Sequence, residues 1–297
     1  MLKILKFAAI DVGSNAVRLL VENVFEVAGK PQFKKQSLVR VPLRLGMDVF
    51  KTGEISEAKK NMLVLTIESF KNLMDAHGVI KYKACATSAL RESANSAQIV
   101  KEIQEKAGIK VHLITGPEEA KYLSNVAFEE FMNHEDDYLY MDVGGGSVEY
   151  TFFSKGQKLI AKSFKMGTIR LLEEKVSESD WDEMCRWLRK NVQGLQNLSI
   201  VGTGGNINRY YRLANKKDYQ PLDYKSMKRV FNVLNSLTYE ERIIQFKLNP
   251  DRADVIIPAG NLFIKVMETV SANHIHVPKM GLADGIVREL YKNYKKK

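Results

Sequence analysis

The chain is poor in cysteine: 297 residues carry two, Cys85 and Cys185, far apart and in different patterns. That excludes the disulfide framework of a small secreted domain, and both thiols are expected to be buried and structural. Long apolar runs are also missing, since no window approaches the roughly 20 uninterrupted apolar residues that span a bilayer. The apolar stretch within MLKILKFAAIDVG reaches Asp11 after a few residues with no small-residue cleavage site, so it reads as a first strand rather than a leader. A cytoplasmic protein with no membrane role is the expectation. Zinc-finger spacing and the aromatic-plus-basic patterns of RNA-binding modules are absent, which puts nucleic acid low among the partners.

What is present is the balance of an ordinary globular protein, 45% hydrophobic and 27% charged, in a chain long enough for two domains. The formal net charge is +10, with Lys292, Lys295, Lys296 and Lys297 at the end. Such a surface attracts polyanions: nucleic acid, an anionic membrane or a phosphate-rich small substrate.

Hydrophobic periodicity predicts strands at 7–12, 17–27, 35–43 and 80–86, then helices at 56–77 and 96–107, a short strand at 110–114, and a helix at 117–132. Pro117, Glu118 and Glu119 suit the first turn of that helix. The pattern then restarts with strands at 138–143, 147–153 and 158–164, helices at 168–175 and 179–193, and a strand at 198–201. Helices at 203–214, 223–235, 239–246, 250–270 and 282–294 follow. The restart is an internal repeat: FAAIDVGSNAVRLLVENV aligns without gaps on YLYMDVGGGSVEYTFFSK, 131 residues later. Each copy has a buried strand, Asp-Val-Gly, a small turn and a second strand. Glycine hairpins alone would explain the glycines but not an acid closing both strands.

Glycine admits positive φ and lets successive backbone N–H groups form an anion-binding nest. Gly13-Ser14-Asn15 and Gly144-Gly145-Gly146-Ser147 are therefore candidate phosphate cradles. Asp11 and Asp142, being anionic, suit Mg²⁺ (or Mn²⁺) held together with substrate phosphates. Seven residues past each Asp stand opposite charges: Arg18, suited to neutralising phosphate, and Glu149, suited to joining Asp142 on the metal. A third loop, Gly202-Thr203-Gly204-Gly205, ends a strand and opens a helix, a geometry that aims N–H groups at an anion. Arg91, within ATSALRESAN, is a candidate phosphate fork. His134 to Asp137 reads as a polar surface loop, and His274 and His276 as structural residues on one strand.

These segments, together with ITGPEEAKYLSNV, KMGTIRL, GTGGNI and RADVIIPAG, resemble the exopolyphosphatase/guanosine pentaphosphate phosphohydrolase family over nearly the whole chain. The resemblance implies an α/β fold of two ribonuclease-H-like domains, from the actin-like and sugar-kinase ATPase superfamily, with the active site in the cleft between them. Domains at 1–117 and 118–297 are expected, the last helix, 282–297, packing back on the first. The resemblance further implies Glu119 as the base that polarises water, Asp142 and Glu149 as metal-associated carboxylates, the two loops and Arg91 as phosphate contacts, and a homodimer. The reaction implied is Mg²⁺-dependent release of terminal phosphate from polyphosphate or guanosine pentaphosphate. Two departures stand out. Ala283 occupies the place of a common family arginine in Gly281-Leu282-Ala283-Asp284-Gly285, and the chain ends before the extra helical region of long members. Both shift the expectation toward shorter or nucleotide substrates. Competing readings are an ATP-dependent kinase or actin-like ATPase, and a non-catalytic polyphosphate or alarmone sensor.

Overall fold

The structure, a computed structural model, describes residues 3–122, 135–217 and 219–296. The chain forms two compact units, Met1–Val126 with Gly281–Lys297, and Ala127–Met280. The division therefore falls beyond residue 117, leaving Glu119 in the first unit. Among the described residues no helix is long and apolar enough to cross a membrane.

The first unit holds strands β1 (Leu5–Val12), β2 (Val17–Val27), β3 (Lys30–Val41), β4 (Lys81–Ala86) and β5 (Val111–Leu113), in the order β3-β2-β1-β4-β5. The first three pair antiparallel, while β4 and β5 run parallel to β1. Residues Phe7 to Val12 are buried at every successive position, which requires cover on both faces of the sheet. Helix Leu282–Lys295 supplies part of that cover: Tyr291 and Tyr294 stack edge-on against Phe7, with ring centroids 5.9 and 5.7 Å away.

The second unit repeats the plan with β6 (Asp137–Val143), β7 (Val148–Ser154), β8 (Gln157–Phe164), β9 (Ser199–Thr203), β10 (Leu222–Asp223) and β11 (His274–His276), in the order β10-β11-β9-β6-β7-β8. Reading outward from β6, an antiparallel β7 and β8 lie on one side and a parallel β9 and β11 on the other, as for β1 in the first unit. Trp187 closes the β7–β8 face against Phe152 and Phe164, at 5.6 and 5.7 Å. Helix Ile256–Thr269 crosses helix Gly205–Leu213 at Gly260, where an added Cβ would stand 2.2 Å from the Tyr210 hydroxyl. These two related sheets are the ribonuclease-H-like arrangement expected from the resemblance.

Several elements differ from the sequence expectation. The helix expected at 250–270 breaks into Pro250–Ala253 and Ile256–Thr269. Pro258 has no N–H for the Asp254 carbonyl and its ring crowds that group, so the helix restarts. β3 begins at Lys30, earlier than expected, because Ala28 and Gly29 (φ 50° and 76°) make a tight turn that carries the pairing to Val27 and Lys30. Helix Leu45–Thr52 was not foreseen; it has no side-chain cap, and tertiary contacts anchor its start. β9 runs on to Thr203, so Thr203 is a strand residue and the following helix opens at Gly205. Asp137 is buried, its Oδ2 accepting from the Gln196 N–H at 2.7 Å, and so is not part of a surface loop. His134, and the helix expected at 117–132 after residue 122, lie outside the described residues.

Candidate active site

The two Asp-Val-Gly segments fold into equivalent hairpins. Val12 pairs with Val17 and Val143 with Val148, and the Gly13 and Gly144 N–H groups donate to the Ala16 and Ser147 carbonyls at 3.1 and 3.0 Å. Neither Gly13 nor Gly144–Gly146 has positive φ, contrary to expectation. Close packing favours glycine at the first position of each loop: a Cβ on Gly13 or Gly144 would stand 3.1 Å from the carbonyl that closes its turn.

What turns the peptide groups is the segment packed behind each loop. In the second unit the carbonyls of Gly144, Gly145 and Gly146 accept in turn from Thr168 N, Ile169 N and Arg170 Nε, at 3.0, 2.8 and 2.8 Å. A trans peptide sets its C=O and N–H antiparallel, so the N–H groups of Gly145, Gly146 and Ser147 point away from that segment, the arrangement of an anion cradle. Gly167 fits only without a side chain, since its Cβ would lie 2.3–2.4 Å from Gly145 and Gly146. In the first unit Gly46 N and Arg44 N bind the Ser14 and Asn15 carbonyls, at 2.8 and 3.0 Å, turning the N–H groups of Asn15 and Ala16 outward likewise. The Ser14 hydroxyl meets that of Ser88 at 3.1 Å. The 44–46 and 167–170 segments were missed as loop supports; the unusual Gly in KMGTIRL was the available signal.

Beyond the loops the halves diverge. Across the second sheet, one row of paired residues reads Thr203 on β9, Asp142 on β6, Glu149 on β7 and Ser163 on β8. Asp142 and Glu149 bring carboxylate oxygens within 4.8 Å of each other. Glu149 Oε1 accepts from Ser147 and Ser163, at 2.6 and 2.9 Å, and Asp142 Oδ1 accepts a short bond from Thr203 Oγ1. An all-oxygen set with two adjacent carboxylates fits a hard divalent cation such as Mg²⁺ or Mn²⁺. The equivalent row of the first unit is Cys85, Asp11, Arg18 and Arg40. There Arg18 Nη1 binds Asp11 Oδ2 at 2.7 Å, so Asp11 holds a guanidinium and the row carries net positive charge. That composition suits an anion better than a cation.

In the third loop each glycine has its own reason. Gly204 has φ 110°, and its Cβ would lie 2.8 Å from the Val143 carbonyl. A Cβ on Gly202 would press on Ile275 and Phe263, and one on Gly205 on the Arg252 guanidinium, which donates to the Gly205 carbonyl. The Thr203 side chain is turned to Asp142 and Tyr140 and not to a ligand of the loop.

Glu118 and Glu119 separate clearly. Thr115 caps the helix that starts at residue 116, and Glu118 returns the bond, its Oε2 accepting from Thr115 N and Oγ1 at 2.7 and 2.8 Å. Those bonds, the backbone one first, hold the Glu118 carboxyl below its usual range. Glu119, one residue on, is buried. Arg91 is not a free fork: its Nη1 donates to the Ile114 carbonyl at the root of this helix. Farther along, Tyr122 is fixed by Lys83 Nζ, which donates to its hydroxyl at 2.6 Å, and by Gly285, whose Cβ would stand 2.3 Å from the Tyr122 carbonyl. Ala283, in the place of the family arginine, is buried, and Asp284 beside it pairs with Lys35 at 2.7 Å. His274 and His276 stack 5.2 Å apart, and burial, then the His274 charge, lowers the His276 pKa.

The profile of the Ppx/GppA phosphatase family matches residues 27–294. Among curated proteins, the bifunctional 3-dehydroquinate synthase/phosphatase of Fusobacterium nucleatum is 26% identical over 285 residues, 87% of this chain and 42% of that protein. Exopolyphosphatase 1 of Mycobacterium tuberculosis is 28% identical over 170 residues, covering 57% of this chain and 48% of that one. The matches thus span about half the length of these relatives or less. Among solved structures, the Ppx/GppA family member of Aquifex aeolicus superposes with a TM-score of 0.77 at 26% identity, over 98% of this chain and 99% of that one. An exopolyphosphatase from Cytophaga hutchinsonii shares the fold at a TM-score of 0.85 and 24% identity, over 97% and 98%. With its duplicated sheets and its match from residue 27 to residue 294, the chain belongs to the Ppx/GppA phosphatase family, on the fold of the actin-like ATPase superfamily.

Proposed function

We propose that this chain is a phosphohydrolase that releases terminal phosphate from a phosphoanhydride chain, inorganic polyphosphate or guanosine pentaphosphate. The reading is carried by one observation: the paired Asp142 and Glu149 flank a loop whose three successive carbonyls are bound from behind. In this reading, anion-directed N–H groups and a divalent-cation site lie on one hairpin. The curated relative named exopolyphosphatase 1 and the net charge of +10 support a polyanionic substrate.

In this reading Asp142 and Glu149 hold Mg²⁺ or Mn²⁺, which when bound supplies neutralisation of phosphate charge. The N–H groups of Gly145, Gly146 and Ser147 orient phosphoryl oxygens, and those of Asn15 and Ala16, with Arg18, hold further phosphates. Glu119 accepts the proton of the attacking water. Positioning and charge neutralisation then provide most of the rate, as is general for phosphoryl transfer.

The test is phosphate release from polyphosphates of graded length, guanosine pentaphosphate and ATP, each with and without Mg²⁺. Release that needs the cation is expected, and Glu119→Gln should lower kcat by about 100- to 10,000-fold with the fold retained. Unchanged turnover in folded Glu119→Gln removes that residue as the base. Phosphate passed from ATP to an added acceptor, with no polyphosphate cleavage, points instead to a kinase.

A further inference from the structure

The row Thr203–Asp142–Glu149–Ser163 has the pattern hydroxyl, acid, acid, hydroxyl across four neighbouring strands. Two carboxylates directly opposite on adjacent strands repel one another, so the pair is a destabilising choice for a sheet unless something offsets it. Each acid is met from its outer side by a hydroxyl of the next strand: Thr203 Oγ1 on Asp142 Oδ1, and Ser163 Oγ on Glu149 Oε1 at 2.9 Å. The Asp142 arm is two bonds deep. Tyr140 is buried on β6 two residues before Asp142, on the same face, and its hydroxyl lies 2.8 Å from Thr203 Oγ1. Thr203 has one proton and gives it to Asp142, so Tyr140 is the donor to Thr203. The chain of donation runs Tyr140 to Thr203 to Asp142.

We propose that Thr203, backed by Tyr140, and Ser163 are positioning residues that bracket the acidic pair. They fix the rotation of each carboxylate, so that the divalent-cation site is organised before the cation arrives. Partners of this kind behind metal ligands typically change affinity by about 10- to 100-fold when removed. The inference rests on the reading of Asp142 and Glu149 as cation ligands. It assigns to Thr203 a different task from binding phosphate. The corresponding row of the first unit has Cys85 and Arg40 at these two places and so lacks both hydroxyls.

The experiment measures Mn²⁺ affinity by titration calorimetry or by the spin-resonance signal of free Mn²⁺, without substrate, on the whole chain. Thr203→Val and Ser163→Ala should each weaken Mn²⁺ binding by about 10-fold or more, and Tyr140→Phe by a smaller factor. Thr203→Ser, which keeps the hydroxyl, should restore affinity to within about threefold of the parent, an outcome that loss of packing alone would not give. In turnover assays the apparent KM for the cation should rise in Thr203→Val, with kcat recovering at saturating Mn²⁺. Folded Thr203→Val and Ser163→Ala with Mn²⁺ affinity within about twofold of the parent overturn the proposal. If Thr203→Val does not fold, Ser163→Ala and Tyr140→Phe decide by the same criterion, since Ser163 is only half-buried and phenylalanine keeps the Tyr140 ring. Asp142→Asn separates the two levels. If it abolishes Mn²⁺ binding while the hydroxyl variants bind normally, only the bracket is wrong. If it too binds normally, the cation site itself is misassigned.

Discussion

Glu118 and Glu119 are neighbours of the same residue type, and the fold uses them for different purposes. The Glu118 carboxylate closes a capping box with Thr115, whereas Glu119 is buried. Glu118→Ala should therefore lower the melting temperature and leave kcat within a few-fold, and Glu119→Ala should do the reverse; parallel melts and phosphate assays check both. Because folding depresses the Glu118 pKa, its stabilisation is present above the ordinary carboxylate range and fades as pH falls through it. Gly204 makes a second prediction at this scale. Its φ is 110°, and an alanine methyl there would stand 2.8 Å from the Val143 carbonyl, too close to fit. Gly204→Ala should cost about 1–3 kcal/mol in a denaturant titration, a range typical of strained backbone positions.

At the scale of elements, the helix beginning at residue 116 is secured at its start and again at Tyr122. The Thr115 box and the Arg91 bond to the Ile114 carbonyl hold its start; Lys83 on the Tyr122 hydroxyl and the notch at Gly285 hold it at Tyr122. Helix Leu282–Lys295 thereby reaches the element that carries Glu119, although it is distant in the chain. Gly285→Ala would push a methyl toward the Tyr122 carbonyl and shift that helix. The expected result is a lower kcat with Mn²⁺ affinity preserved, because Asp142 and Glu149 belong to the other unit. Equal loss of both would show general unfolding instead. The same logic of support from distant sequence applies to Thr168–Arg170 behind the second glycine loop and to Arg44–Gly46 behind the first.

For the whole molecule, one duplicated plan carries two different rows of side chains. The sheets share strand order and hairpin geometry, yet the row at the loop is Cys85-Asp11-Arg18-Arg40 in one and Thr203-Asp142-Glu149-Ser163 in the other. Each unit also carries one buried thiol, Cys85 and Cys185, and burial pushes the Cys85 pKa up to about 12. Native protein at pH 8 should thus resist Ellman's reagent, both thiols reacting only after denaturant opens their units. Single-cysteine variants would then report the unfolding of each unit separately. Acid sensitivity has a named contributor in Asp223, which caps helix Tyr224–Asn235 and whose pKa is held down by Lys216 first and by Ser226. A depressed carboxylate stabilises above its unfolded pKa and loses that effect as pH falls. Asp223→Ala should cost about 1 kcal/mol at pH 7, with the difference from the parent shrinking on acidification, as melts across pH will show.

The sequence by itself determined the elements with strong local signals. Its run of β-branched and other apolar residues located β2 at residues 17–27 and its periodicity the helix at 96–107, because each pattern is short-range. It also determined the repeat, since an acid followed by glycine at the end of an apolar strand is local information. That was enough to single out Asp142 and Glu149, whereas Glu119 was singled out only by the resemblance of its GPEEAK segment to the family motif. Tertiary structure decided what those residues touch. Which glutamate is a cap, which glycine serves close packing and which positive φ, and which hydroxyl holds which carboxylate all depend on neighbouring strands and on segments outside each motif. Thr203 shows the difference. Its neighbours in sequence suggested a phosphate loop, while the pairing of β9 with β6 gives its one proton to Asp142. A hydroxyl can donate only once, and the sheet register, not the motif, settles where.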